Sequence, residues 1–185
     1  MRRTATAILC SAAVAALAAC APAEVERDTP PPSASAARAT ANLAPASASL
    51  VSGTLTLSTM GDGVHVGGEI GGLPPGAHGF HVHEHGDCSA ADASSAGGHF
   101  NPTNMPHGRS GPGEHHLGDS DNIVADADGV AVVDAHLHDV SLGSGAANDI
   151  AGRAIVVHAA PDDYTSQPSG DAGARVSCGV IAVIR

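Results

Sequence analysis

From Leu50 onward the chain is a series of short stretches in which apolar and polar residues alternate, separated by turn-forming residues. Alternation at period two places one set of side chains on one face and the other set opposite, the pattern of a half-buried strand. Leu50–Ser58 alternates in this way, and Gly61-Asp62-Gly63 then turns the chain. Val64–Ile70 alternates again until Gly71-Gly72-Leu73-Pro74-Pro75-Gly76 breaks it. Gly79–His83, Ile123–Ala125, Val130–Leu137, Ile155–His158 and Val180–Ile184 are further strand candidates. Asp126-Ala127-Asp128-Gly129 carries a hairpin turn signal. No segment sustains a helical period. The pattern predicts an all-β fold, an antiparallel Greek-key β-sandwich or barrel.

Two stretches do not alternate. Glu84–Gly118 is long and rich in Gly, Ser, Asp and His, and Ala159–Ala174 is polar and punctuated by Pro and Gly. Loops of this length in a compact domain are functional or disordered. They are expected here to carry function.

The N-terminal quarter reads differently. Arg2 and Arg3 precede an Ala/Leu/Val-rich run that is too short for a membrane span, so 1–19 reads as a signal peptide. The run ends Leu17-Ala18-Ala19-Cys20, which resembles a bacterial lipobox, with cleavage before Cys20 and lipid attached to it. Residues 20–47 are rich in Pro, Ala and Ser, with Pro30-Pro31-Pro32 among them, and read as a lipidated cysteine followed by a flexible tether. The folded domain is then expected over 48–185. This organisation implies an exported, periplasmic protein held to a membrane through Cys20, and Ala21 after the cysteine points to the outer membrane.

Composition narrows the partners. Eight basic residues, all arginine, face 19 acids, for a formal charge of −11. Nucleic acid, whose phosphates need basic patches, is thereby disfavoured as a partner. With no Trp, one Tyr and two Phe, the core must be built from Val, Ile, Leu and Ala. Of four cysteines, Cys10 lies in the signal and Cys20 takes the lipid, which leaves Cys88 and Cys178 as a pair in an exported chain, where disulfides form.

The histidines carry the chemistry. On a strand, His81-Val82-His83 puts two imidazoles on one face, half of the tetragonal nitrogen site that copper(II) prefers. His99, His107, His116 and Asp119 offer three nitrogens and a carboxylate oxygen, a plausible tetrahedral zinc set with spacing longer than a zinc finger's. His158 stands alone downstream.

Five segments in order, Gly79-Phe80-His81-Val82-His83, Ser95-Ala96-Gly97-Gly98-His99-Phe100-Asn101-Pro102, His116-Leu117-Gly118-Asp119, Val156-Val157-His158 and Gly173-Ala174-Arg175-Val176-Ser177-Cys178-Gly179-Val180-Ile181, resemble the signature segments of the copper/zinc superoxide dismutases. The resemblance runs from about Leu50 to Arg185. It implies copper held by His81, His83, His99 and His158, and zinc held by His99, His107, His116 and Asp119, with His99 shared. It implies that Asp162, rather than its neighbour Asp163, links a copper histidine to a zinc histidine. His78 matches a histidine that ties loops together, and Cys88 and Cys178 match a disulfide. Arg175 matches the arginine that attracts and orients the anionic substrate beside the copper. The activity implied is dismutation of superoxide to oxygen and hydrogen peroxide by a one-electron copper cycle, in which Arg175 and His99 act and zinc structures the site. The assembly is left open between a monomer and a homodimer. A non-enzymatic periplasmic copper- and zinc-binding protein is the alternative, but it has no use for Arg175. His65, His136 and His138 are expected to face solvent, the last two with a weak metal signal; no role is assigned to His85 or His115.

Overall fold

The computed structural model describes residues 37–184. The signal segment, Cys20 and most of the tether lie outside them. Among the described residues nine strands form one antiparallel sheet: β1 (Arg38–Pro45), β2 (Ser52–Met60), β3 (Gly63–Gly71), β4 (Gly76–His78), β5 (Phe80–His83), β6 (Ile123–Ala125), β7 (Ala131–His138), β8 (Ala154–His158) and β9 (Arg175–Ile184). Their spatial order is β4-β6-β7-β3-β2-β1-β9-β8-β5. The two strands at opposite ends of that order, β4 and β5, are separated in the chain by Gly79 alone, so the sheet curls round until its ends almost meet. A nearly closed barrel results, which leaves little free edge. Among the described residues the one helical element is a single 3₁₀ turn, Ser94–Ala96, and no helix is long and apolar enough to cross a membrane.

The strands follow the alternation. Leu55 and Leu57 of β2, Val64 and Val66 of β3, and Val133 and Leu137 of β7 point into one core with Phe80, Ile155, Val157 and Ile181. β1 is a correction: residues 38–45 were expected in the tether, yet they form a central strand between β2 and β9. Ala39, Ala41 and Leu43 are its buried positions. Alanine inward and Thr or Asn outward gives too small a hydropathy contrast to stand out in an Ala-rich stretch. The folded domain therefore begins about ten residues before the expected boundary at 48. β4 is also absent from the sequence reading, which ran Gly79–His83 as one strand. The chain changes partner across Gly79, from β6 to β8, so only β5 carries the ligand pair.

β5 and β8 position the site. Both are buried along their whole length, because the core covers one face and the two long loops cover the other. The first loop is laced to β5 by backbone bonds: Phe100 N–H donates to Val82 C=O at 2.8 Å, and Val82 N–H donates to Gly118 C=O at 2.9 Å. Gly118 is needed for this approach, since a Cβ there would collide with the Val82 carbonyl. Cys88 and Cys178 form a disulfide, Cα atoms 5.7 Å apart, that staples the same loop to β9. A small apolar cluster of Ala93, Ala96, Ala154 and Val156 packs around it.

Candidate metal centre

His81 and His83 stand on the outer face of β5, Phe80 and Val82 on its core face, as period two requires. The first loop delivers His99 opposite His83. β8 delivers His158 at its last residue, where a register shift between Val157 and His158 breaks the ladder with β9. Such an irregularity re-aims a side chain at a strand end. One ligand atom from each of His81, His83, His99 and His158 lies within 4.8 Å of the others, and all four residues are buried.

The ring nitrogens sort into two kinds. His83 Nδ1 lies 2.9 Å from Gly97 C=O, His81 Nε2 lies 2.8 Å from Asp162 Oδ2, and His158 Nδ1 lies 3.3 Å from Gly173 C=O. Each of these bonds can fix a tautomer and ring orientation. The opposite nitrogens, His81 Nδ1, His83 Nε2 and His158 Nε2, are buried without a partner, as is His99 Nε2. Four orphaned imidazole nitrogens converging in a protein interior are costly unless something accepts their lone pairs. A divalent cation does.

The second group is built around one oxygen. Asp119 Oδ1 lies 2.7 Å from His99 Nδ1, 3.0 Å from His107 Nδ1 and 3.3 Å from His116 Nδ1. A carboxylate oxygen has two lone pairs and cannot serve three donors well, whereas three nitrogens and an oxygen form a tetrahedral cage. Asp119 Oδ2 is meanwhile anchored by the N–H groups of Gly108 and His116. His99 presents Nδ1 to this group and Nε2 to the other, so one ring joins both. The residues fit two metal ions sharing an imidazole.

Asp162 is fully buried and reaches both groups, with Oδ2 on His81 Nε2 and Oδ1 3.0 Å from His107 Nε2. Asp163 does not take this place; it binds the local turn of Thr165 and Ser166 instead. His78 lies between the carbonyls of His158 and Pro74, 2.9 Å from each, and ties two loops together. Arg175 donates to Ala93 C=O at 2.7 Å and Gly97 C=O at 2.6 Å. Its guanidinium lines a cavity of about 530 Å³ with His83, His99, His158 and Glu84.

Charge preferences agree with a ligand role. Burial pushes His99 down to about 4 and His158 down to about 3, and it holds His83 well below its ordinary value, helped by the neighbouring His99. These rings are therefore neutral at pH 7, with lone pairs to offer. Burial disfavours the charge of His107, yet its bonds to Asp119 and Asp162 outweigh that and push it up to about 9. Burial likewise disfavours the Asp119 and Asp162 charges, but the histidines around them hold both carboxyls well below the usual range. A proton on His107 stands where a cation would otherwise supply the positive charge.

Several supporting residues carried no signal in the sequence. Asn122 clasps Asp162 through its backbone, accepting from the Asp162 N–H at 2.8 Å and donating to its C=O at 2.9 Å. Gln167 does the same for His107, at 2.9 and 2.8 Å. Lone amides in loops have no sequence context to distinguish them. His115, next to a ligand, points away: its Nδ1 lies 2.6 Å from His116 C=O. His85 is exposed beside Glu84.

A family model for copper/zinc superoxide dismutase matches residues 51–181. The chain belongs to the copper/zinc superoxide dismutase family. An extracellular Cu-Zn superoxide dismutase of Brugia pahangi is 43% identical over 143 residues, which are 72% of this chain and 70% of that protein. Among solved structures, a SOD-like protein from Bacillus subtilis is similar with a TM-score of 0.69 and 36% identity, over 76% of this chain and 95% of that one. The clock protein EA4 is similar with a TM-score of 0.71 and 41% identity, over 80% of this chain and 94% of that one. Copper and zinc are the metals of the family, and the two histidine groups fit them.

Proposed function

We propose that this chain dismutates superoxide, converting two superoxide anions and two protons into oxygen and hydrogen peroxide. We assign copper to His81 Nδ1, His83 Nε2, His99 Nε2 and His158 Nε2, and zinc to Nδ1 of His99, His107 and His116 with Asp119 Oδ1. When bound, copper supplies the one-electron couple for both half-reactions, and zinc, which has no redox chemistry, supplies charge and geometry. The protein's own part is positioning. Arg175 sets a cation at the mouth of the cavity, over the face that His83, His99 and His158 line. Asp162 holds His81 and His107 in fixed tautomers, so the two groups keep one geometry. His99 lines the cavity, and it is the residue placed to hold a proton for the peroxide product.

The observation that carries this reading is the convergence of four unpartnered imidazole nitrogens beside Arg175. A protein that only stored metal would need the ligands but no cation guarding an approach. The test is His99→Ala. It should abolish activity and disturb the binding of both metals, with loss of the copper spectrum of a bridged centre. Unchanged spectra with both metals bound would show that His99 is not shared.

We further propose that the protein is exported and anchored through lipid on Cys20, with the outer membrane the expected site. The disulfide and the extracellular relative support export. Cys20→Ala should release the protein to the soluble periplasmic fraction or block its maturation; membrane association that persists in the variant rules the anchor out.

A further inference from the structure

Three histidines outside the buried centre lie together on the outer face of the β3–β7 pair. Asp134, His136 and His138 share the outward face of β7 at period two. His65 stands opposite His136 in the β3 register, and Gly63 stands opposite His138. Asp62, in the turn that leads into β3, brings its carboxylate against both rings, Oδ1 2.8 Å from His136 Nε2 and Oδ2 3.2 Å from His138 Nδ1. The turn is fixed, because Asp139 N–H donates to Asp62 C=O at 3.0 Å. The two rings are 4.6 Å apart at 81°, so their edges converge on the carboxylate without stacking.

We propose that Asp62, His136 and His138 form a third metal site, for a divalent transition ion such as zinc or copper(II). One ligand atom from each lies within 4.8 Å of the others. Two imidazole nitrogens and one carboxylate oxygen suit zinc and copper(II), and the nitrogen donors disfavour calcium and magnesium. Without an ion, His136 Nε2–H donates to Asp62 Oδ1, but Nδ1 has no partner in the protein, so the ring proton can move to Nδ1 when an ion binds at Nε2. The lone pair of Nε2 is then offered to the ion, which replaces the proton between the ring and the carboxylate. Asp134, bound to His65 at 2.7 Å, adds a second carboxylate to the same face. All three ligands are partly open to solvent, which leaves positions for water and makes the site exchangeable, unlike the buried pair.

The test is equilibrium dialysis of protein already loaded with copper and zinc, against zinc alone and, separately, copper(II) alone. Wild type is compared with the His136→Asn/His138→Asn double variant and with Asp62→Asn. Wild type should bind one equivalent more than the double variant. Asp62→Asn should weaken that equivalent by about tenfold or more, at least the effect of losing a supporting partner at a metal site. Taking the difference between proteins cancels any incomplete filling of the buried centre, so the result does not depend on the dismutase assignment. Dismutase activity should be unchanged in all three. Zinc binding without copper binding, or the reverse, names the ion. Equal uptake of both ions by wild type and by either variant overturns the site. Retention of the buried metals shows that a variant is folded.

Discussion

Arg175 has to work against the rest of the molecule. The formal charge is −11, with eight arginines against nineteen acids. Superoxide, an anion, meets a repulsive particle, and Glu84 adds a carboxylate to the wall of the cavity itself. The guanidinium is tethered by two carbonyls at 2.6–2.7 Å, so its charge is fixed in place instead of swinging in solvent. Screening over about 8–10 Å mutes distant acids more than a cation at the point of reaction. Arg175→Ala is therefore expected to lower the second-order rate by about tenfold or more, within the range of electrostatic steering. Arg175→Glu should be worse, and both variants should keep their metals. Stopped-flow or pulse decay of superoxide with metal analysis measures this; a near wild-type rate for a fully loaded Arg175→Glu removes the guiding role.

The elements show where a sequence is legible and where it is not. Val64–Ile70 became Gly63–Gly71, and Ile123–Ala125 matched without change, because large β-branched or aliphatic residues marked the inward face. Val180–Ile184 grew to Arg175–Ile184, since Arg175, Ser177 and Gly179 gave the first half of β9 no recognisable alternation. β1 was hidden by its alanines. The candidate ligands were legible through the ordered segments that resemble the family, because spacing alone does not separate the six histidines of the buried groups from the six others in the chain. The groups that hold the site in place, Asn122 on Asp162 and Gln167 on His107, act through backbone bonds that only the fold reveals. One element that was expected, the link between Cys88 and Cys178, spans 90 residues. Closing a loop of that size is worth about 4–5 kcal/mol on the chain-entropy model, and removing a native disulfide commonly costs about 2–5 kcal/mol. Cys88→Ser with Cys178→Ser should lower unfolding stability by that amount, read by denaturant titration of the metal-loaded protein. It should also loosen the 3₁₀ turn whose Ala93 carbonyl holds Arg175. A variant with unchanged stability would mean that the metals alone order this loop.

For the whole molecule, the buried imidazoles set a pH dependence that the metals conceal. In the metal-free protein His99 titrates near 4 and His158 near 3, whereas in the unfolded chain both titrate near 6.5. Between those values the unfolded chain binds more protons, so stability must fall as pH drops from about 6.5 toward 4. His107 has the opposite sign. Raised to about 9, it contributes fully below 6.5, and the contribution is lost as pH rises through about 9. Asp119 and Asp162 act only as pH falls below 3.8, under this window. Metal-free protein should therefore be most stable near pH 6.5, as urea midpoints across pH 4–9 would show. A flat profile between 4 and 6.5 would mean that the rings are not held neutral by burial.

The place of β1 between β2 and β9 has a consequence in time. The first strand of the domain finds one of its two neighbours only when residues 175–184 arrive, and those residues also bring Arg175 and Cys178. A chain emerging from its N-terminus can form the β2–β3 hairpin early, because that pairing is local, but closure waits on a contact across nearly the full length of the domain. Long-range pairings of this kind are slow to form. Closure of the barrel and the meeting of Cys88 with Cys178 therefore both depend on the last strand of the domain.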